Sequence, residues 1–326
     1  MINNNVKINL DNVDRFIKIN LGKFEYQYAR ALNRILEEGV RCHNRTGIDT
    51  FAVNHQTFVF ENINNYFPII RGKKVFPLMP LKEMLWMLHG RTDVQWLQDR
   101  GVNYWNEWAD ENGTIGKSYG YQYRNFNGID QFQQLLERMK KDPMGRRHII
   151  SLWNINDLNE MNLPPCIHEF NFSCVPVEKT AYPLEYDSYN VDLHVHCRSN
   201  DSFLGAPYDF MQVAWLLNIV CLYLNSELQK WQYQPRNIYY IADNWHLYEN
   251  HIEQAKQYLS NVQENKEYCI SSNFTRLHGL RFIDFKNIDD FLNIFEELTI
   301  KKKEFKLLRT KDGGFEYGKI AAKVAV

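Results

Sequence analysis

The sequence predicts an α/β or α+β fold built on one main sheet. Three observations carry that expectation. Helical and strand periods are mixed along the chain, with a block of strands in its middle. Apolar residues make up 44 % of the 326 and aromatics 14 %, enough for a large core and too much for a disordered class. No internal repeat or low-complexity linker interrupts the chain, whose length suits one large domain or two small ones.

Each element follows from its local pattern. "EYQYARALNRILEEGV" (25–40) is amphipathic at helical spacing and stops at a glycine. "TFAVNHQTFVFE" (50–61) alternates like a strand and runs into a turn at "NINNY". "PLKEMLWMLHG" (80–90) returns to helical spacing and ends at Gly90, and "DQFQQLLERMKKDP" (130–143) is a helix halted by Pro143. "RRHIISLWNI" (146–155), "IHEFNFSCVPV" (167–177) and "YNVDLHVHCRS" (189–199) predict three strands, the last two alternating. "DFMQVAWLLNIVCLYLN" (209–225) is apolar almost all round and predicts a buried central helix. "HLYENHIEQAKQYL" (246–259) predicts one more helix.

Composition narrows the function classes. The formal net charge of -1 gives no electrostatic case for a nucleic-acid polymer as partner, although local arginines can still bind one small anion. No apolar run approaches the roughly 20 residues of a membrane helix, and "MINNNVKINLDNVDRF" lacks the layout of a signal peptide. The six cysteines (Cys42, Cys166, Cys174, Cys197, Cys221 and Cys269) form no C-x-x-C pair, so no metal is expected. Free thiols in a reducing cytoplasm are the expectation.

Several segments can carry chemistry. In "NLPPCIHEFNF" two prolines fix the backbone just before Cys166 and a strand follows, so the thiol is held at a strand edge. A cysteine nucleophile needs a cation nearby to lower its pKa, whereas a structural cysteine is only a small buried hydrophobe. Arg45 in "HNRTGID", Arg146 and Arg147 in "DPMGRRHII", and Arg198 beside Ser199 in "HCRSND" are polar segments suited to an oxyanion or phosphate. Any one of them alone reads as a solvated side chain. The block "NYWNEWADENGTIGKSYGYQYRNF" (103–126) concentrates Trp105, Trp108, Tyr119, Tyr121 and Tyr123, either as a cap on the core or as a wall for a planar ligand.

Taken in order, "NRTG", "EMLWMLHG", "WNEWADENG", "SYG", "DPMGRR", "LPPC", "RSNDSFLGAPYD", "HLYENHI" and "KVAV" resemble the thymidylate synthase family over nearly the whole chain. The resemblance implies a single domain over 1–326 with a large mixed sheet flanked by helices. Residues 1–24 would be an N-terminal extension, and 176–190 an insert between strands. It also implies that Cys166 attacks C6 of a pyrimidine nucleotide, and that C5 then accepts a one-carbon unit from 5,10-methylenetetrahydrofolate. By the same resemblance Arg45, Arg198 and Ser199 hold the phosphate. Arg146 and Arg147 arrive from the second subunit of a homodimer. The phosphate arginines would supply the field that lowers the cysteine pKa. Glu83 matches a glutamate that moves protons near the base, a role that burial on an apolar helix face would favour. Tyr119 matches a tyrosine linked to loss of the C5 proton, and His246 and Tyr248 match groups on the nucleotide sugar. Lys73, Trp105, Trp108, Asp201, Gly205 and Tyr208 fall on the folate side, and Val326 ends a tail that closes over the folate.

The sequence departs from that pattern in three places. The asparagine that reads the uracil edge is here Asp209, the histidine after the cysteine is Ile167 with His168 one place later, and "RSCD" is "RSND" with Asn200. Asp209 and "RSND" resemble the phage dCMP hydroxymethylases. Cytosine offers an amine at N4 and an acceptor at N3, so a carboxylate accepts from N4 and bonds N3 once a proton is shared. Against uracil the same carboxylate faces O4. A helix N-cap is the competing reading of Asp209, but asparagine caps equally well. The expected reaction is C5 hydroxymethylation of dCMP. Thymidylate synthesis or dCMP C5-methylation is the alternative, supported by both tryptophans and the intact tail. Hydroxymethylation of CMP or dUMP, or a non-catalytic nucleotide- or RNA-binding relative, ranks lower because binding alone needs no nucleophile.

Overall fold

The computed structural model describes residues 23–177, 187–264, 275–279, 281–309, 320 and 322. Most of the N-terminal extension, the centre of the insert and Val326 lie outside these residues. Helix α1 (Lys23–Glu38) ends where a Cβ on Gly39 would meet the Ile35 carbonyl at 2.3 Å, so only glycine lets the chain turn there. Strands β1 (Val40–Cys42) and β2 (Thr50–Phe60) follow, then α2 (Leu78–Leu88), the short α3 (Gln95–Gln98) and α4 (Tyr119–Arg124), and α5 (Gln131–Lys141). Strands β3 (Ile149–Ser151), β4 (Ile167–Pro176), β5 (Tyr189–Cys197) and β6 (Asn200–Asp201) lead into α6 (Ala206–Leu228). The chain closes with β7 (Tyr233–Tyr248), α7 (Ile252–Glu264), β8 (Thr275–His278), α8 (Ile288–Glu296) and β9 (Lys306–Arg309).

Seven strands form the main sheet in the order β1-β2-β7-β5-β4-β3, with β6 beside β7; β8 and β9 make a separate pair. The sheet is mixed. β5 and β6 run parallel to β7, and the remaining pairs are antiparallel. Parallel neighbours need a long crossover, and α6 supplies it between β5 and β7. As its apolar sequence predicts, α6 is buried on every side from Phe210 to Ser226. It lies between α2 and the inner sheet face of Phe170, Phe172, Leu193, Val195, Ile238 and Tyr240. The outer face keeps His168, His194, His196, Tyr239 and Ile241 half-exposed. Among the described residues no helix is long and apolar enough to cross a membrane.

Two sequence expectations change, and the competing reading of Asp209 drops out. The strand foreseen at 146–155 shrinks to β3, because the "DPMGRR" turn runs straight into it and a loop follows. The helix foreseen from His246 starts at Ile252, since His246–Tyr248 finish β7. Asp209 is not a helix cap: Gly205 holds that position, and Asp209 is the fourth residue of α6.

Candidate active site

Arg198 and Ser199 follow the C-terminal end of β5, and His246 and Tyr248 close its parallel neighbour β7. α/β sheets commonly hold ligands at such an edge. The first turn of α6 brings Gly205, Tyr208 and Asp209 to the same edge, β6 brings Asn200 and Asp201, and α2 and α4 add Glu83 and Tyr119. The loop between β1 and β2 contributes Arg45, whose charge is felt at Cys166 and at Tyr248.

Cys166 is fixed through its backbone. Its N–H donates to the Tyr119 hydroxyl at 2.7 Å, and its carbonyl accepts from the Arg198 N–H at 2.9 Å. The Arg198 guanidinium donates Nε to the Pro165 carbonyl and Nη2 to the Pro164 carbonyl, both at 2.9 Å, and lies 5.3 Å from the Trp153 ring. Both prolines before the cysteine are therefore pinned by the same arginine. Burial pushes the Cys166 thiol up, while Arg198 and more weakly Arg45 pull it down. The arginine field expected to depress this thiol is present, but burial outweighs it in the isolated chain.

Two carboxyl groups join this cluster, Asp209 acting on both Cys166 and Glu83. Glu83 accepts from the Tyr104 hydroxyl at 2.6 Å and from the Trp105 indole N–H at 2.8 Å. Burial raises its pKa to about 7 against these two bonds, and the charge of Asp209 raises it further. Asp209 Oδ2 accepts from Asn200 Nδ2 at 2.7 Å. Burial lifts Asp209 to about 6, opposed by that bond. Burial also keeps the Tyr119 phenol well above its ordinary range, so it stays protonated. The cluster thus offers a thiol, a neutral phenol and two carboxyl groups that exchange protons near neutrality.

The other expected residues fall into two sets. His246 Nδ1 lies 2.9 Å from Asn244 Oδ1, and its ring meets Tyr248 edge-on at 5.4 Å. Asp201 pairs with His246 across β6 and β7, and its Oδ1 accepts from the N–H groups of Phe203 and Leu204 at 3.0 and 3.2 Å. Trp105 is buried with its indole turned to Glu83, and the half-buried Trp108 packs edge-on against it at 5.6 Å. Lys73 is buried too, with its ammonium on the Phe203 carbonyl and 3.8 Å from the Phe203 ring. Arg146 and Arg147 are not brought to this site. They are exposed on the turn between α5 and β3 and make no hydrogen bond or ion pair among the described residues. Sequence reasoning missed Tyr104, Gln212 and Tyr240. Gln212 bonds Glu83 as a polar break in an apolar helix, and Tyr104 adjoins Trp105 in the aromatic block, so both left a signal.

The family model described as Thymidylate synthase matches residues 26–293, well over half of the chain. The chain belongs to the thymidylate synthase family. A thymidylate synthase-type enzyme transfers one carbon to C5 of a pyrimidine nucleotide with methylenetetrahydrofolate as cosubstrate, and this chain is such a one-carbon transferase. The chemistry of two residues expected on the folate side would suit that cosubstrate. Trp108 is an aromatic surface that is only half-buried, and Asp201 uses Oδ1 alone in its own turn, leaving Oδ2 for a polar ring edge.

Proposed function

We propose that this thymidylate synthase-family enzyme hydroxymethylates C5 of dCMP. The observation that carries the reading is the Asn200–Asp209 hydrogen bond of 2.7 Å. It ties together two of the three departures from the family pattern and leaves a carboxyl group where an amide would read uracil. Asp209 accepts from N4 of cytosine and shares a proton with N3, and a positive N3 draws electrons from the ring. Cys166 adds to C6, placing negative charge at C5. Bound methylenetetrahydrofolate supplies the carbon unit that C5 takes up. Once C5 gives up its proton and tetrahydrofolate leaves with the electrons of the C–N bond, the exocyclic methylene so formed adds water, whose proton Glu83 takes. The electrons return through the ring and expel the Cys166 thiolate, restoring the C5–C6 double bond. Glu83 suits the base role because it titrates near neutrality. Tyr119 holds the cysteine backbone and keeps its own proton for a neighbouring acceptor.

Arg45, Arg198 and Ser199 hold the phosphate, His246 and Tyr248 the sugar, and Trp105, Trp108, Asp201, Gly205 and Tyr208 the folate side, with Lys73 and Val326 beyond them. Arg146 and Arg147 serve the partner's site in a homodimer, a reading supported by their exposure and by the half-exposed outer sheet face. The test is mass spectrometry of the products from dCMP and from dUMP with methylenetetrahydrofolate. Hydroxymethyl-dCMP without stoichiometric dihydrofolate is expected. Methyl-dCMP or thymidylate together with dihydrofolate would replace this reading with a reductive methylase.

A further inference from the structure

Asn200 is 2 % exposed and sits on β6, wedged between Asp209 and β7. Both ends of its amide are engaged. Nδ2 donates to Asp209 Oδ2 at 2.7 Å, and Oδ1 accepts from the Tyr240 hydroxyl at 3.2 Å. Burial keeps Tyr240 protonated, so the phenol is a standing donor. A reversed amide would set its oxygen against a carboxylate oxygen of Asp209 and would lose the Tyr240 bond unless that proton turned toward Cys197. In the orientation Tyr240 holds, Asp209 Oδ2 is an acceptor at this contact. A proton taken up by Asp209 goes to Oδ1.

This matters because a neutral carboxyl group is ambivalent. With O–H on one side it accepts from N4 and donates to N3 of cytosine. With O–H on the other it donates to O4 and accepts from N3–H of uracil. We propose that Asn200, oriented by Tyr240, is a specificity-determining positioning residue that confines the Asp209 proton to Oδ1 and leaves Oδ2 to accept the exocyclic amine, so that uracil is refused whether or not Asp209 is charged. The inference rests on the reading of Asp209 as the group that meets the base. Asp209 reaches about 6, where the neutral form is accessible. The groups facing it are Glu83 on α2, Tyr104 in the loop before α4, Tyr119 on α4, Cys166 before β4, Cys197 on β5, Asp201 on β6 and Tyr240 on β7. Burial raises the phenols and thiols, which stay neutral at that pH, so among these groups Glu83 is the one whose charge changes close to the range in which Asp209 titrates.

The test is direct competition between dCMP and dUMP, read as the ratio of kcat/KM below and above pH 6 in the full-length enzyme. Asn200→Leu should cut the preference for dCMP about tenfold or more at the acid end, where Asp209 holds a proton. It should change little at the alkaline end, where charge alone repels O4. Tyr240→Phe should act in the same direction but less, because the amide becomes free to turn. Equal losses for both nucleotides at every pH, or an unmoved ratio, would overturn the proposal. Asp209→Asn in the same assay separates the two levels. If it shifts preference toward dUMP while Asn200→Leu does not, only the role of Asn200 falls. If Asp209→Asn leaves the ratio unmoved, the reading of Asp209 itself falls. Should Asn200→Leu fail to fold, Tyr240→Phe decides the matter.

Discussion

At Cys166 burial and cationic charge pull in opposite directions, and the residue is held through its backbone rather than through its side chain. Cys166→Ala removes the sulfur while leaving the N–H that Tyr119 accepts from and the carbonyl that Arg198 bonds. Turnover should drop by about 1000-fold or more, while calorimetry should find dCMP binding nearly unchanged. Substantial residual turnover would remove the nucleophile assignment. Glu83 permits a pH test. Its ordinary value of 4.5 rises to about 7 on folding, so the folded state holds this proton more tightly. The associated stability is complete below about 4.5 and is lost as pH climbs through about 7. Glu83→Gln carries no such proton. Urea midpoints should move in favour of the variant as pH rises through that window, by on the order of 3 kcal/mol in total. A constant gap between the two proteins would mean that Glu83 is not perturbed.

Helix α6 turns from site to core within one residue, from Asp209 to Phe210. The Phe210 ring lies within 6.4 Å of six other aromatic rings, on Phe24, Tyr28, Phe58, Phe60, Tyr240 and Trp245. Phe210→Ala should cost about 3–5 kcal/mol in chemical denaturation, and at permissive temperature it should also raise KM for dCMP, since Asp209 shares that turn. A loss below about 1 kcal/mol would show that the cluster collapses around the gap. This helix was the most legible element, because a long apolar run with no polar stripe has only one home in a water-soluble fold. Strand β7 was the least legible. Pro235 and the Asp243–Asn244 pair suppress its strand signal, yet Pro235 stands by the register shift against β5 and so removes no interior bond of a regular ladder. The candidate site was legible through the family resemblance, which singled out Cys166, Glu83 and Asp209, residues that the fold brings into one cluster. The partners of Asp209 were not, because Asn200 and Tyr240 meet it only after β6 and β7 pair.

The whole molecule presents two faces of one sheet, and α6 covers the inner one. Under the proposed homodimer a second copy packs on the outer face, where Tyr239 and Ile241 are half-exposed, and Arg147 serves its partner. Mixing Arg147→Ala with Cys166→Ala should therefore restore about a quarter of normal activity after random subunit exchange, since each hybrid holds one intact site. No recovery despite proven exchange would mean self-contained sites. The same sheet has a consequence for how the chain is made. β7 is its central strand, joining β1–β2 to β5–β4–β3, yet it is the last of the seven to be synthesised. From Phe60 to Tyr233 the ribosome adds 233 − 60 = 173 residues, which takes roughly 9 to 35 s at about 5–20 residues per second. Through that interval β2 has one open edge; Phe210 is made only near its end and Trp245 only after it, so the aromatic faces of Phe58 and Phe60 lack these partners for most of the wait. The two halves of the sheet wait as separate hairpin-like pieces, exposed to edge pairing with other nascent chains, until the strand that unites them leaves the exit tunnel.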